Sequence, residues 1–347
     1  MRGHSTKFTR GRIQWWIASS AALAAAALLA AGLAGPAQAA YPGTDGLIAY
    51  VHDGNIYTIN PQAAAPASTI VRLTHDGHDS GPRWSPKGTR LAYLDRGNLW
   101  IMDANGSHKK QITSQAPSYT DSRPTWSPNG RYLAFVKTKK GASFGYLTRY
   151  DTVKHKFATF STPFNSEQPT TRQVKVTALP AAVAWAVARN AGSGTGSFII
   201  FEGATAPACP SGFYCLNALG FDTQSDYRNG FPSSEDATAS PVRLLDPDWF
   251  PNNPLFSVDA LTTQESCSGG HCTHTGIDLT IGASPTLPGG YQAVYAPSGD
   301  YVAYVKNVHG KPEIYIYTVS ATAFLTKVLT PGTQPDWQPV PAPSLGS

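Results

Sequence analysis

Two short runs of the chain carry residue types that could do chemistry. His75-Asp76-Gly77-His78-Asp79-Ser80 places two imidazoles and two carboxylates together, and Thr120-Asp121-Ser122-Arg123 brings the Asp-Ser pair back 42 residues later. Carboxylates so placed could bind a cation or a basic partner, and Arg83 and Arg123 beside them can make two-pronged contacts to acidic groups. The competing reading is that each Asp-Ser caps a turn by bonding its own backbone. Cys209 with Cys215 and Cys267 with Cys272 make two tight pairs. Two local disulfides are expected if the chain is exported to an oxidising compartment. A zinc site from Cys267, His271, Cys272 and His274 is the alternative, but four ligands within eight residues would be sterically tight, so no metal is assigned.

Other chemistry lacks its signatures. There is no G-x-S-x-G elbow, no H-E-x-x-H and no phosphate-cradling G-x-x-x-x-G-K, and the Gly192 to Gly196 run reads as a hairpin tip. The five glutamates, at 167, 202, 235, 265 and 313, show no carboxylate pairing in sequence of the kind glycoside hydrolysis uses. No cofactor is implied.

The first 39 residues alter the charge balance. Arg2, Lys7, Arg10 and Arg12 precede an apolar run, Ile13 to Leu33, and Ala37-Gln38-Ala39 matches the small-x-small pattern of a cleavage site. The expectation is a secretory signal over 1–39, cut by the general route, with an uncut anchor as the alternative. The formal net charge of +5 then falls to +1, with 23 basic against 22 acidic residues. A nucleic-acid partner would require a basic footprint that this chain lacks. No membrane contact is expected after cleavage.

The elements that must position these residues are repeats. Trp84-Ser85-Pro86-Lys87-Gly88 and Trp126-Ser127-Pro128-Asn129-Gly130 lie 42 residues apart, as do Tyr295-Ala296-Pro297-Ser298-Gly299 and the start of Trp337-Gln338-Pro339. Ser-Pro-x-Gly is turn chemistry, with proline preset for the second position and glycine favoured at the fourth. Leu91-Ala92-Tyr93, Leu133-Ala134-Phe135 and Val302-Ala303-Tyr304 each start seven residues after the aromatic, and further strands follow at Asn98 to Met102 and Glu313 to Tyr317. Four short strands per repeat of this length make one propeller blade. Aromatics at 84, 126, 185, 249, 295 and 337 predict an all-β, six-bladed propeller of four-stranded blades. Its ring closes where the strand around Trp337 joins Leu47 to Thr74 in one blade. The propeller domain is predicted over 40–339, with insertions at about 188–240 and 262–276 and a tail at 340–347.

These repeats resemble the TolB-like six-bladed β-propellers, whose unit reads P-x-W-S-P-D-G followed by I-A-F, I-Y and L-T. Pro82-Arg83-Trp84-Ser85-Pro86 and Pro124-Thr125-Trp126-Ser127-Pro128 carry the resemblance, which covers residues 46–152 and 291–339. It implies a fold more than a function. In such a ring, connections between a fourth strand and the next first strand emerge on one face, which predicts a rim holding His75, His78, Asp79, Arg83, Asp121 and Arg123. The expected function is that of an exported, monomeric, non-enzymatic binding protein, secreted or in the cell envelope, that takes another protein at this face. The alternatives are an extracellular polysaccharide lyase or hydrolase, for which His75, His78 and Asp79 form the local cluster, and a glycan-binding propeller using Phe213, Tyr214 and Tyr227.

Overall fold

Backbone hydrogen bonds of the turn repeats show why this sequence folds into hairpins. Gly88 N–H donates to Ser85 O at 2.8 Å, Gly130 N–H to Ser127 O at 2.8 Å and Gly299 N–H to Ala296 O at 2.9 Å. The Gly88 backbone sits at φ +64°, and a Cβ there would stand 2.2 Å from Pro339 O, so only glycine fits. Strands two and three of three repeats meet in two-residue turns, Asp53-Gly54, Arg96-Gly97 and His309-Gly310, with positive φ at both positions. That geometry matches the twist of the flanking strands.

The computed structural model describes residues 43–114, 116–165, 168–176, 183–190, 194–202, 213–222, 231–239, 242–249, 260–268, 271–279, 287–319 and 326–341. The leader, Cys209 and residues 342–347 lie outside them. Among the described residues no helix is long and apolar enough to cross a membrane.

The architecture is an all-β propeller. Thr333–Val340 pairs with Thr44–His52, followed outward by Asn55–Ile59 and Val71–Arg72, so strands from both ends of the chain share one sheet. The second sheet runs Asp79–Trp84, Arg90–Asp95, Asn98–Asp103 and Lys110–Gln111. Three more four-stranded sheets start at Val183–Asn190, Val242–Trp249 and Gly290–Tyr295. Residues 194–239 supply three strands of the first of these, and Ala260–Ser268 and His271–Leu279 two strands of the second.

The expectation of six four-stranded blades is corrected, because among the described residues five sheets have that form. The repeat at Trp126 builds a six-stranded sheet instead, with a separate two-stranded hairpin, Ser161–Asn165 and Gln168–Gln173. Its inner edge is broken into Tyr119–Asp121 and Thr125–Trp126, both paired with Tyr132–Lys139. Pro124, which has no N–H to donate, sits in the break. Its outer edge is broken as well. Gly145–Asp151 pairs with Lys156–Thr159 and again with Lys175–Val176. Leu147 spans the interruption, accepting from Phe160 N–H at 2.9 Å and donating to Val174 O at 3.0 Å.

The core lies between neighbouring sheets. Trp84 packs with Ala49, Ile56, Leu73 and Tyr93, and Trp126 with Ala92, Leu99, Leu133 and Phe135. Ala49, Ala92, Ala134 and Ala303 are fully buried. A small residue at this point of the second strand lets the next sheet approach closely.

Candidate binding site

Asp79 opens the first strand of the second sheet and is tied to the hairpin of the sheet before it. Its N–H donates to Gly54 O at 2.7 Å, and its carboxylate bonds the Thr74 hydroxyl. Thr74 Oγ1 in turn accepts from Ile56 N–H at 2.8 Å. The next repeat has the same joint. Asp121 N–H donates to Gly97 O at 2.9 Å, the Thr113 hydroxyl donates to Asp121 Oδ2, and Thr113 Oγ1 accepts from Leu99 N–H at 2.8 Å. Both carboxylates are buried, at 3% and 9% exposure, so they lie beneath the loops they hold. His75, Asp76 and His78 are exposed above Asp79, while Arg123 is half-buried and donates from Nη2 to Pro335 O at 2.9 Å.

The two buried aspartates differ electrostatically. Burial pushes the Asp79 carboxyl up to about 7, against the Thr74 hydroxyl bond and with the charges of Asp76 and Asp95 adding to the rise. Burial also raises Asp121, but there the Thr113 hydroxyl and the Lys137 ammonium oppose it. One carboxylate oxygen from each of Asp76, Asp79 and Asp95 lies within 4.8 Å of the others.

Arg83 points away from this loop region into the inner ring. Its Nη1 stands 2.7 Å from Asp336 Oδ1 and 3.7 Å from Asp248 Oδ1, and all three side chains are largely buried. Asp336 Oδ2 also accepts Trp84 N–H at 2.6 Å, and Asp248 Oδ2 accepts Tyr295 N–H at 2.9 Å. Thr125 Oγ1 accepts Trp185 N–H at 3.1 Å in the same manner. Side chains on one first strand thus satisfy the backbone of a neighbouring sheet's first strand. Burial lifts the Asp248 carboxyl to about 6 despite the Arg83 charge and the Tyr295 bond. The cavity among these residues, also lined by Trp84, Trp126, Trp185 and Trp337, is about 40 Å³. That is room for a few waters and no small organic ligand.

Sequence reasoning therefore singled out Asp79, Arg83, Asp121 and Arg123 and overlooked Asp248 and Asp336, Arg83's acidic partners. A usable signal existed in Pro247-Asp248-Trp249 and Pro335-Asp336-Trp337, the same tripeptide at two first strands. Thr74 and Thr113 were legible only as strand ends. Cys267 and Cys272 are register partners across a hairpin. The side chains of all four cysteines lie outside the described residues.

The family model that matches is the dipeptidyl peptidase IV N-terminal region, over residues 66–141. No curated protein matches the sequence. Among solved structures, TolB from Acinetobacter baumannii is similar with a TM-score of 0.57 at 14% identity, over 85% of this chain and 67% of that one. A chain of a nidogen/laminin complex reaches 0.51 at 8% identity, over 85% of this chain and 99% of its own. Hydrazine synthase of Kuenenia stuttgartiensis reaches 0.51 at 12% identity, over 87% of this chain and 47% of its own. At such identities the likeness concerns the fold alone, and the fold this chain has in common with TolB is the β-propeller.

Proposed function

We propose that the protein is an exported, non-enzymatic propeller, working as a monomer, that binds an extended segment of an extracellular or envelope protein at the face carrying the loops of His75, His78 and Arg123. The carrying observation is how little space is left beside the inner strands around Arg83. Arg83 is bonded to Asp336 and ion-paired with Asp248, and about 40 Å³ is left beside them. Recognition then falls to exposed loops held by a rigid scaffold. Asp79 and Asp121 act from below, by fixing the loop ends, and Arg83 by holding the inner strands. The leader supports export, and the two cysteine pairs, Cys209 with Cys215 and Cys267 with Cys272, are proposed disulfides in that compartment.

The test immobilises the mature protein and compares it with a His75→Glu/His78→Glu variant for capture of proteins from the native secretome and envelope. Both are also assayed for turnover on polysaccharide and peptide libraries. Capture that weakens with salt and is lost in the variant supports the reading. Undiminished capture moves the interface elsewhere. Turnover that disappears in the variant replaces the reading with an enzyme.

A further inference from the structure

We propose that Asp76, Asp79 and Asp95 form a site for an oxygen-ligated divalent cation of the calcium class, which clamps the 75–79 connection to the end of the strand Arg90–Asp95. Three carboxylates each offer an oxygen within 4.8 Å of the others. Calcium holds oxygens at about 2.3–2.6 Å, so ligands sharing one ion stand at most about 5 Å apart, as these do. A donor set made only of carboxylate oxygens suits a hard cation and not zinc or copper.

Proximity of acids alone would not define a site, but Asp79 adds an independent observation. It is 3% exposed, and its Oδ2 is sealed from solvent with no hydrogen-bond partner. Leaving such an oxygen unsatisfied is costly. The Asp76 carboxylate comes within hydrogen-bonding reach of Asp79, so that one acceptor faces another. Arg96 compensates only the outer side of the cluster, with Nη1 at 3.2 Å from Asp95 Oδ1 and 3.9 Å from Asp76 Oδ2, and its side chain is 57% exposed.

The neighbouring repeat shows what is missing. Asp79 is paired in register with Asp95, whereas Asp121, at the same joint, is paired with Lys137. The six-stranded sheet of the Trp126 repeat, third along the chain and called the third sheet below, supplies an ammonium where the second supplies another carboxylate. A cation from solution would supply in one repeat the positive charge that Lys137 brings opposite the aspartate in the other, where it opposes the rise of Asp121, with Asp76 as the additional ligand.

The experiment uses full-length mature protein stripped with EDTA. Calcium is titrated by calorimetry and thermal melting, and terbium luminescence is followed with Tyr93, near all three acids, as sensitiser. The expected result is one site with Kd of about 0.1–1 mM or tighter. The melting point should rise with calcium, and terbium emission should be displaced by it. Asp95→Lys, which copies the third sheet, should lose all three responses while melting at or above the stripped wild type. Asp76→Asn should weaken calcium binding at least 10-fold. Absence of calcium heat, terbium emission and melting shift up to about 10 mM overturns the proposal. So does a calcium response that survives in Asp95→Lys, or stripped protein that is stabilised by acid and indifferent to calcium, which would assign a shared proton instead.

Discussion

The second and third sheets begin as near copies and solve the same electrostatic problem differently. Each starts with a buried aspartate whose N–H is taken by the glycine of the preceding hairpin, Gly54 or Gly97, and whose carboxylate is bonded by a threonine hydroxyl. Across the strand, Asp79 meets Asp95 and Asp121 meets Lys137. The shared part is backbone satisfaction, which every blade needs wherever a connection turns inward. The charge partner is free to vary, and across the strand pair one aspartate faces an ammonium-bearing lysine and the other a second carboxylate. A feature shared by repeats is thus a poor guide to function, while a departure from it at a fixed register position is a better one.

Where the two sheets agree, equivalent substitutions should cost the same. Trp84→Ala and Trp126→Ala, both fully buried, should each destabilise by about 3–5 kcal/mol in denaturant unfolding. A difference between them of more than about 2 kcal/mol would mean the six-stranded sheet is packed on other terms than its neighbour. Where they differ, the effects should diverge. Lys137→Asp places in the third sheet the like-charge pair of the second without its extra ligand, and should cost about 2 kcal/mol at neutral pH, less at high salt. Asp95→Lys, the reverse exchange, should be neutral or stabilising in calcium-free buffer. Thr74→Val and Thr113→Val each remove a hydroxyl that serves an N–H and a carboxylate together, and should each cost about 1–2 kcal/mol by thermal melting.

The smallest expected effects are pH slopes of opposite sign. The Arg131 guanidinium and the N–H groups of Val153 and Lys154 hold Asp151 down at about 2, against some desolvation. Its stabilising contribution is present above pH 4 and lost as pH falls towards 2, and Asp151→Asn should flatten that acid limb. Asp248 behaves inversely, because burial raises it to about 6. The folded chain takes up a proton there that the unfolded chain binds only below about 4. Its contribution is therefore full below pH 4 and declines as pH rises through 6, a slope that Asp248→Asn should remove.

Turns, hairpins and core aromatics were legible because each is decided within a few residues. Ser-Pro-x-Gly presets its own dihedrals, and one aromatic per repeat marks a first strand. Those local rules determined an all-β chain of repeated units. How many of those units close as four-stranded blades was decided by the tertiary structure. A strand count depends on continuity of pairing, and the breaks at Pro124 and between Phe160 and Val174 come from partners a sequence pattern does not display. The strands of residues 194–239 were hidden for a related reason, since without a Trp-Ser-Pro-x-Gly turn their Gly- and Ser-rich stretches carry no local mark.

Burial of the charged residues was likewise beyond the sequence. Asp79 and Asp121 share the composition of an exposed loop, yet packing against the adjoining hairpin and their own connection buries them. Arg83 has the chemistry of a rim ligand, yet Asp336, 253 residues away, takes its guanidinium inside the ring. Local conformational preference acts over a turn and can be read directly from residue types. Whether a charge meets solvent, a partner or another charge depends on which strands the closed ring sets side by side, and that is a property of the assembled fold.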